Sequence, residues 1–148
     1  MPINNAGNRV SQAGAPLDVY KENVSWTPII FGTTVPGSGT YTTQAGYYSQ
    51  IGTLVYVTAK VVWTAHTGRG DLRMSLPIDV RGNLTNYQPI GTFASQNVNF
   101  PGGNNFLVSF FLPGTSTVDP RVIRDNNSYN DIRMQPNGEI IYGGWYLI

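Results

Sequence analysis

LVYVTAKVVWTA, residues 54 to 65, decides the fold. Val55, Val57, Ala59, Val61 and Trp63 fall on one side of an extended chain by period two, and Tyr56, Thr58, Lys60, Val62 and Thr64 fall on the other. Alternation over so long a run, rich in β-branched residues, specifies a strand with one face in a core. The second face is mixed rather than wet, so the strand is expected to touch something further through it.

Working outward, Leu72, Met74 and Leu76 alternate with Arg73 and Ser75, and Pro77 marks the end of that strand or an edge. Phe106, Val108, Phe110 and Leu112 alternate with Leu107, Ser109 and Phe111, which makes both faces apolar and predicts a central strand. Asp131 to Met134 and Glu139 to Tyr142 flank Gln135-Pro136-Asn137-Gly138, where Asn-Gly supplies two residues tolerant of positive φ and predicts a hairpin. The closing Trp145-Tyr146-Leu147-Ile148 is expected to be buried, inside a sandwich or at a subunit interface. From Trp26 onward, Gly, Pro and Asn cut the chain at intervals of about ten residues, the spacing of an all-β sandwich or barrel. Residues 1 to 23 are instead rich in Asn, Gly, Ala and Ser, with one apolar cluster at Leu17, Val19 and Tyr20, and predict an extended N-terminal arm ahead of a β-domain at 24–148.

Composition narrows the function classes. The 148 residues suit one domain, and charged residues make up 11% where about a quarter is usual. Neutral polar side chains must therefore cover the surface, which suits sugar contacts or close-packed assemblies. A net charge of +1, with nine basic residues scattered singly, offers no stripe for phosphates, so nucleic acid is set aside. The absence of cysteine excludes disulfides and thiolate metal sites. The longest apolar run, Phe106 to Leu112, is far short of the roughly 20 residues of a membrane span, so no membrane insertion is expected. Met1-Pro2-Ile3-Asn4-Asn5 has neither the basic nor the apolar region of a signal peptide.

Catalytic constellations are weak. His66 is the only histidine, with Ser75, Ser109 or Ser128 and Asp71 or Asp79 as conceivable triad partners, yet it enters Thr67-Gly68-Arg69-Gly70, a turn expected to leave it facing solvent. Asp71, Asp119 and Asp131 stand beside turn formers, and turn chemistry accounts for them. Asp125 to Asp131 is oxygen-rich but has Asn130 where a calcium loop needs its glycine and Pro136 where it needs its bidentate glutamate. Arg69-Gly70-Asp71 is expected to be a hairpin tip carrying a solvated ion pair. No enzyme, cofactor or metal is expected. Fifteen Tyr and Phe plus three Trp exceed what so small a core needs, and Tyr41, Tyr47, Tyr48, Tyr87 and Tyr129 sit in polar context. Tyrosine and tryptophan, with an apolar face and a polar tip, suit protein interfaces and sugar rings alike.

Trp26-Thr27-Pro28, then Gly32, then Tyr41-Thr42-Thr43-Gln44-Ala45-Gly46-Tyr47-Tyr48-Ser49-Gln50-Ile51-Gly52-Thr53-Leu54-Val55 resembles the opening of C-terminal modules of bacteriophage tail fibres, tailspikes and related virion appendages. The resemblance covers roughly residues 26 to 80, running through Ser75-Leu76-Pro77, and the Asn137-Gly138-Glu139 segment fits the family's ending. It implies a jelly-roll-like antiparallel β-sandwich that assembles as a homotrimer. Residues 41 to 53 would turn the chain between sheets, with bends at Gly46 and Gly52 and with Tyr47 and Tyr48 on opposite sides. The resemblance also implies a place on the virion, in a tail or other appendage, after synthesis in the host cytoplasm. Family members usually end a long fibrous chain, whereas a short arm precedes the module here, so attachment to other virion proteins would use that arm.

The function expected is recognition of a host surface glycan, polysaccharide or lipopolysaccharide, without catalysis. Loop residues chosen for exposure and chemistry would make the contacts: His66, Arg69 and Asp71 on one loop, Asn104 and Asn105 on another, Asn126, Asn127 and Tyr129 on a third. The alternatives are a structural head or tail decoration knob, which would clamp a shell with the arm, and a small glycan hydrolase or esterase.

Overall fold

The computed structural model describes residues 19–83, 89–100, 105–124 and 129–148, with Asn105 and Arg124 described by their backbone alone. The strands are β1 (Tyr20–Trp26), β2 (Ile30–Gly32), β3 (Gly39–Ile51), β4 (Leu54–His66), β5 (Leu72–Ser75), β6 (Ile90–Gln96), β7 (Asn105–Phe111), β8 (Thr117–Arg124), β9 (Asn130–Asp131) and β10 (Gly138–Leu147). They hydrogen-bond as one antiparallel sheet in the order β1-β3-β4-β10-β6-β7-β8-β5-β2, with β9 beside β8, and the sheet curls into a half-barrel. Among the described residues there is no helix. β1 begins at Tyr20, inside the stretch assigned to the arm, and the first 18 residues of that arm lie outside the described residues.

β4 carries the expected faces. Val55, Val57, Ala59, Val61 and Trp63 all lie in the core at 0–3% exposure, on the concave side of the curl. Leu72 and Met74 of β5 are likewise buried, and Leu76 follows them inward. Three tyrosines reach inward and donate their hydroxyls to backbone carbonyls. Tyr142 reaches Ser75 at 2.7 Å, Tyr146 reaches Ile78 at 3.1 Å, and Tyr41 reaches Ile30 at 3.3 Å. Each fills core volume with its ring while satisfying a buried polar group at its tip.

Residues 41 to 53 do not turn between sheets. Most of that segment is β3, paired with β4 along its whole length and with β1 on its other side. Gly52, at φ 58°, occupies the first central position of the two-residue β3–β4 turn, which closes at Ile51↔Leu54. Gly46 makes no bend; it lies opposite Trp26, and a β-carbon there would stand 2.3 Å from the indole Nε1. Tyr47 and Tyr48 do point to opposite sides, Tyr47 outward at 46% exposure and Tyr48 against the core.

The Asn-Gly hairpin does not form either. β9 pairs with β8, and the chain beyond it runs along residues 70–72, with Leu72 N–H donating to Ile132 and Met134 N–H donating to Gly70. β10 then crosses to the opposite part of the sheet, between β4 and β6. Neither Asn137 nor Gly138 has positive φ. Gly138 is needed for space, since a β-carbon would stand 2.7 Å from Cζ2 and 2.8 Å from Cη2 of Trp63.

β7 is interior to the sheet, flanked by β6 and β8, and its outer face is only partly covered. Ser109 and Phe111 are buried, while Phe106 is 72% exposed. The C-terminal residues divide in the same way: Tyr146 is in the core and Trp145 faces outward at 55% exposure.

Candidate functional site

The convex side of the sheet holds the features that the core does not explain. Direct register places Tyr56 beside Trp145, Thr58 beside Gly143 and Thr92, Lys60 beside Ile141 and Ala94, and Val62 beside Glu139 and Gln96. Gly143 and its threonine neighbours therefore floor a groove of about 650 Å3, walled by Trp145, Tyr56 and Ile90 on one side and Ile141 on the other. The Tyr56 and Trp145 rings lie 4.6 Å apart, tilted by 44°, so each holds the other in place. Among the described residues no charged side chain lines this groove. Tyr47, Ile51, Leu54, Tyr56, Ile90, Phe106, Tyr129, Ile141 and Trp145 are all exposed large hydrophobic residues on this side or at its margin. That is a patch of the kind that marks an interaction surface.

At the other end of the same face the chemistry changes. Val62, Thr64, Gln96, Asn97, Asn137 and Glu139 surround a second hollow of about 390 Å3 where β4, β6 and β10 meet their loops. Glu139 is paired with Lys60 at 2.8 Å. Asn97 takes φ 57°, a left-handed conformation that asparagine adopts more readily than most residues.

A third cluster joins β5, β8 and β9. Asp119, 1% exposed, lies 2.8 Å from Arg73 and 2.6 Å from Arg121, while Asp131 lies 3.5 Å and 3.7 Å from the same two guanidiniums. Arg133 and Asp71 add a pair at 3.1 Å. Burial pushes the Asp119 carboxyl above its ordinary range, opposed by the Arg121 hydrogen bond and the Arg73 charge. The hydrogen bond that Arg121 Nε donates to Asp119 in turn raises the Arg121 pKa, opposed by burial. These aspartates are therefore strand and near-strand residues in an ion-pair network, and turn chemistry does not account for them.

The eight proposed contact residues fare unequally. Asn104, Asn126 and Asn127 lie outside the described residues, and Asn105 is placed only by its backbone, in β7. His66 ends β4 and does not face solvent freely. Its Nδ1 accepts from Gly68 N–H at 2.9 Å, its ring stands edge-on to Tyr41 at 6.3 Å, and burial lowers its pKa, opposed by the Ile30 carbonyl. Of its conceivable triad partners, Ser75 Oγ accepts from Ile29 N–H and Asp71 pairs with Arg133, while Ser128 lies outside the described residues. Arg69 is exposed, but Arg69-Gly70-Asp71 is no free hairpin tip, because Arg69 bridges Val35 and Thr33 Oγ1 accepts from Asp71 N–H at 2.8 Å. Tyr129 is 52% exposed and packs edge-on to Phe110 at 5.0 Å, with the Arg121 guanidinium 5.7 Å from the same ring. Among the described contact residues, Asp71 and Tyr129 lie at the margins of the ion-pair network. Among the described residues no group of three or more His, Cys, Asp or Glu could hold a metal ion.

Both hollows escaped the sequence reading. A signal was present for the first: once Tyr142 and Tyr146 face inward, period two sends Ile141, Gly143 and Trp145 outward. The second depends on loops that β10 brings beside β6, which no local pattern encodes. No family model matches the chain, and no curated protein or solved structure matches it.

Proposed function

We propose that this chain is a virion appendage protein of the phage tail-fibre type, a homotrimer of jelly-roll-like units that holds a host surface glycan without catalysis. The observation that carries the reading is the uncovered apolar half of the convex face, centred on Trp145, Ile90 and Ile141. Exposed apolar area is stabilised by contact with other apolar surface, and sister copies present the same patch. Low charge supports close assembly, since few like charges meet around an axis. The Trp26-Thr27-Pro28 and Tyr41-to-Val55 motifs support the appendage family. The curl supports the jelly-roll reading, because it sets the β10 tyrosines against carbonyls at Ser75 and Ile78 across one core. Residues 1 to 23 would join the module to other virion proteins.

Light scattering on the purified chain tests the assembly, and competition with virus adsorption tests the role. A trimer that blocks adsorption is the expected result. A trimer found on particles that binds no envelope preparation would make the chain a decoration knob, and a soluble monomer would remove the argument from the convex face.

A further inference from the structure

We infer that the polar hollow at the end of the convex face, formed by Thr64, Gln96, Asn97, Asn137 and Glu139, is a subsite for a neutral, hydroxyl-rich sugar ring. This inference rests on the glycan-binding reading above and gives it a place. Three carboxamide residues, all exposed, line one hollow, and no hydrogen bond from any of their side chains to the described protein is found. Each offers one acceptor and two donor hydrogens, and the Thr64 hydroxyl can act in either sense. That inventory matches the vicinal hydroxyls of a sugar, each of which both donates and accepts.

Charge narrows the class. The hollow has one ionisable lining residue, Glu139, already neutralised by Lys60 at 2.8 Å. Among the described residues no cationic side chain lines it, and the nearby Lys60 is engaged by Glu139, so sialic acids, uronic acids and phosphorylated sugars are disfavoured. The volume of about 390 Å3 lies within the range of small-ligand sites and suits one or two rings. Position agrees with assembly, because the apolar patch lies towards the opposite end of the same strands and could be covered by sister copies while this end stays open. The walls are firm: Gln96 and Glu139 are direct neighbours in the β6–β10 ladder, and Gly138 rests on the buried Trp63 indole.

The test is an array of purified bacterial surface polysaccharides, neutral and acidic, probed with the whole chain and with two double variants, Gln96→Ala/Asn137→Ala and Asn97→Gly/Asn137→Ala. Glycine at 97 keeps the left-handed backbone and removes only the carboxamide. Binding confined to neutral polysaccharides, weakened roughly tenfold or more in both variants at unchanged melting temperature, is the expected result. Binding that both variants retain within about twofold overturns the subsite and leaves the glycan function standing. Binding of acidic polysaccharides alone overturns it too, whereas no binding to any polysaccharide removes the glycan reading itself.

Discussion

Arg73 of β5 and Asp119 of β8 meet at 2.8 Å with side chains 12% and 1% exposed, in a protein with few charges to spare. Removing one partner strands the other in a poorly solvated place. Asp119→Ala should cost about 3–5 kcal/mol in urea melts, because Arg73 and Arg121 both lose their nearest counter-charge. Replacing the pair with apolar residues, as Arg73→Met/Asp119→Leu, should recover most of that loss, since Arg121 keeps Asp131 and partial access to water. Equal losses in the single and double variants would mean that the stranded Arg73 charge is not the source of the cost.

Gly138 and Asn137 separate two explanations of one dipeptide. If Asn-Gly served a turn, both positions would resist alanine; in the structure neither has positive φ, and a β-carbon at 138 would press on the Trp63 ring. Gly138→Ala should therefore destabilise by about 1–3 kcal/mol through overpacking, while Asn137→Ala should stay within about 0.5 kcal/mol. Chemical denaturation of the two variants side by side is the measurement.

That dipeptide illustrates what the sequence could carry. Period-two runs such as Val55 to Trp63 and Leu72 to Leu76 are local signals, and their faces are where they were expected. Partner choice is not local. The strand after Asn137-Gly138 joins β4 and β6 because its tyrosines complete the core there, and this outweighs a turn preference. Asp119 looked like a turn residue because Pro120 follows it. Yet Pro120 stands where β8 passes from β5, whose pairing ends at Val118, to β9, whose pairing begins at Arg121, so the missing N–H is tolerated inside a strand. The arginines that explain Asp119 lie on β5 and two residues along β8, and only the fold brings Arg73 to it.

The inward tyrosines set an alkaline limit on stability. Burial raises the phenols of Tyr142 and Tyr146 well above the ordinary value of 10.0, and raises Tyr41 less. With folded-state pKa above unfolded, their stabilisation is complete below pH about 10 and is lost as pH rises beyond it, because the unfolded chain releases protons that the folded chain keeps. The slope should approach about 1.4 kcal/mol per pH unit for each such phenol. A spectrophotometric titration should show Tyr142 and Tyr146 ionising only together with unfolding, and their replacement by phenylalanine should flatten the alkaline limb of the stability curve. Smooth titration of every tyrosine near pH 10 in the folded protein would contradict the buried placement.

The exposed wall of the apolar groove gives the sharpest test of assembly. Trp145 and Ile90 are 55% and 60% exposed, so a charge at either site can be hydrated in an isolated chain and should change its fold stability little. In a trimer packed through this face the same charge would be buried without a partner, and three copies would bring it three times to one axis. Trp145→Asp and Ile90→Asp should therefore lower the light-scattering mass from three times the 16.2 kDa chain to one, with the β-sheet circular dichroism unchanged. Lys60→Ala, which removes a half-exposed ion pair at the groove's far edge, should leave the mass of the proposed trimer unchanged. If both aspartate variants remain trimeric, the interface lies elsewhere, and the groove between Trp145 and Ile141 is open to solvent in the assembled protein.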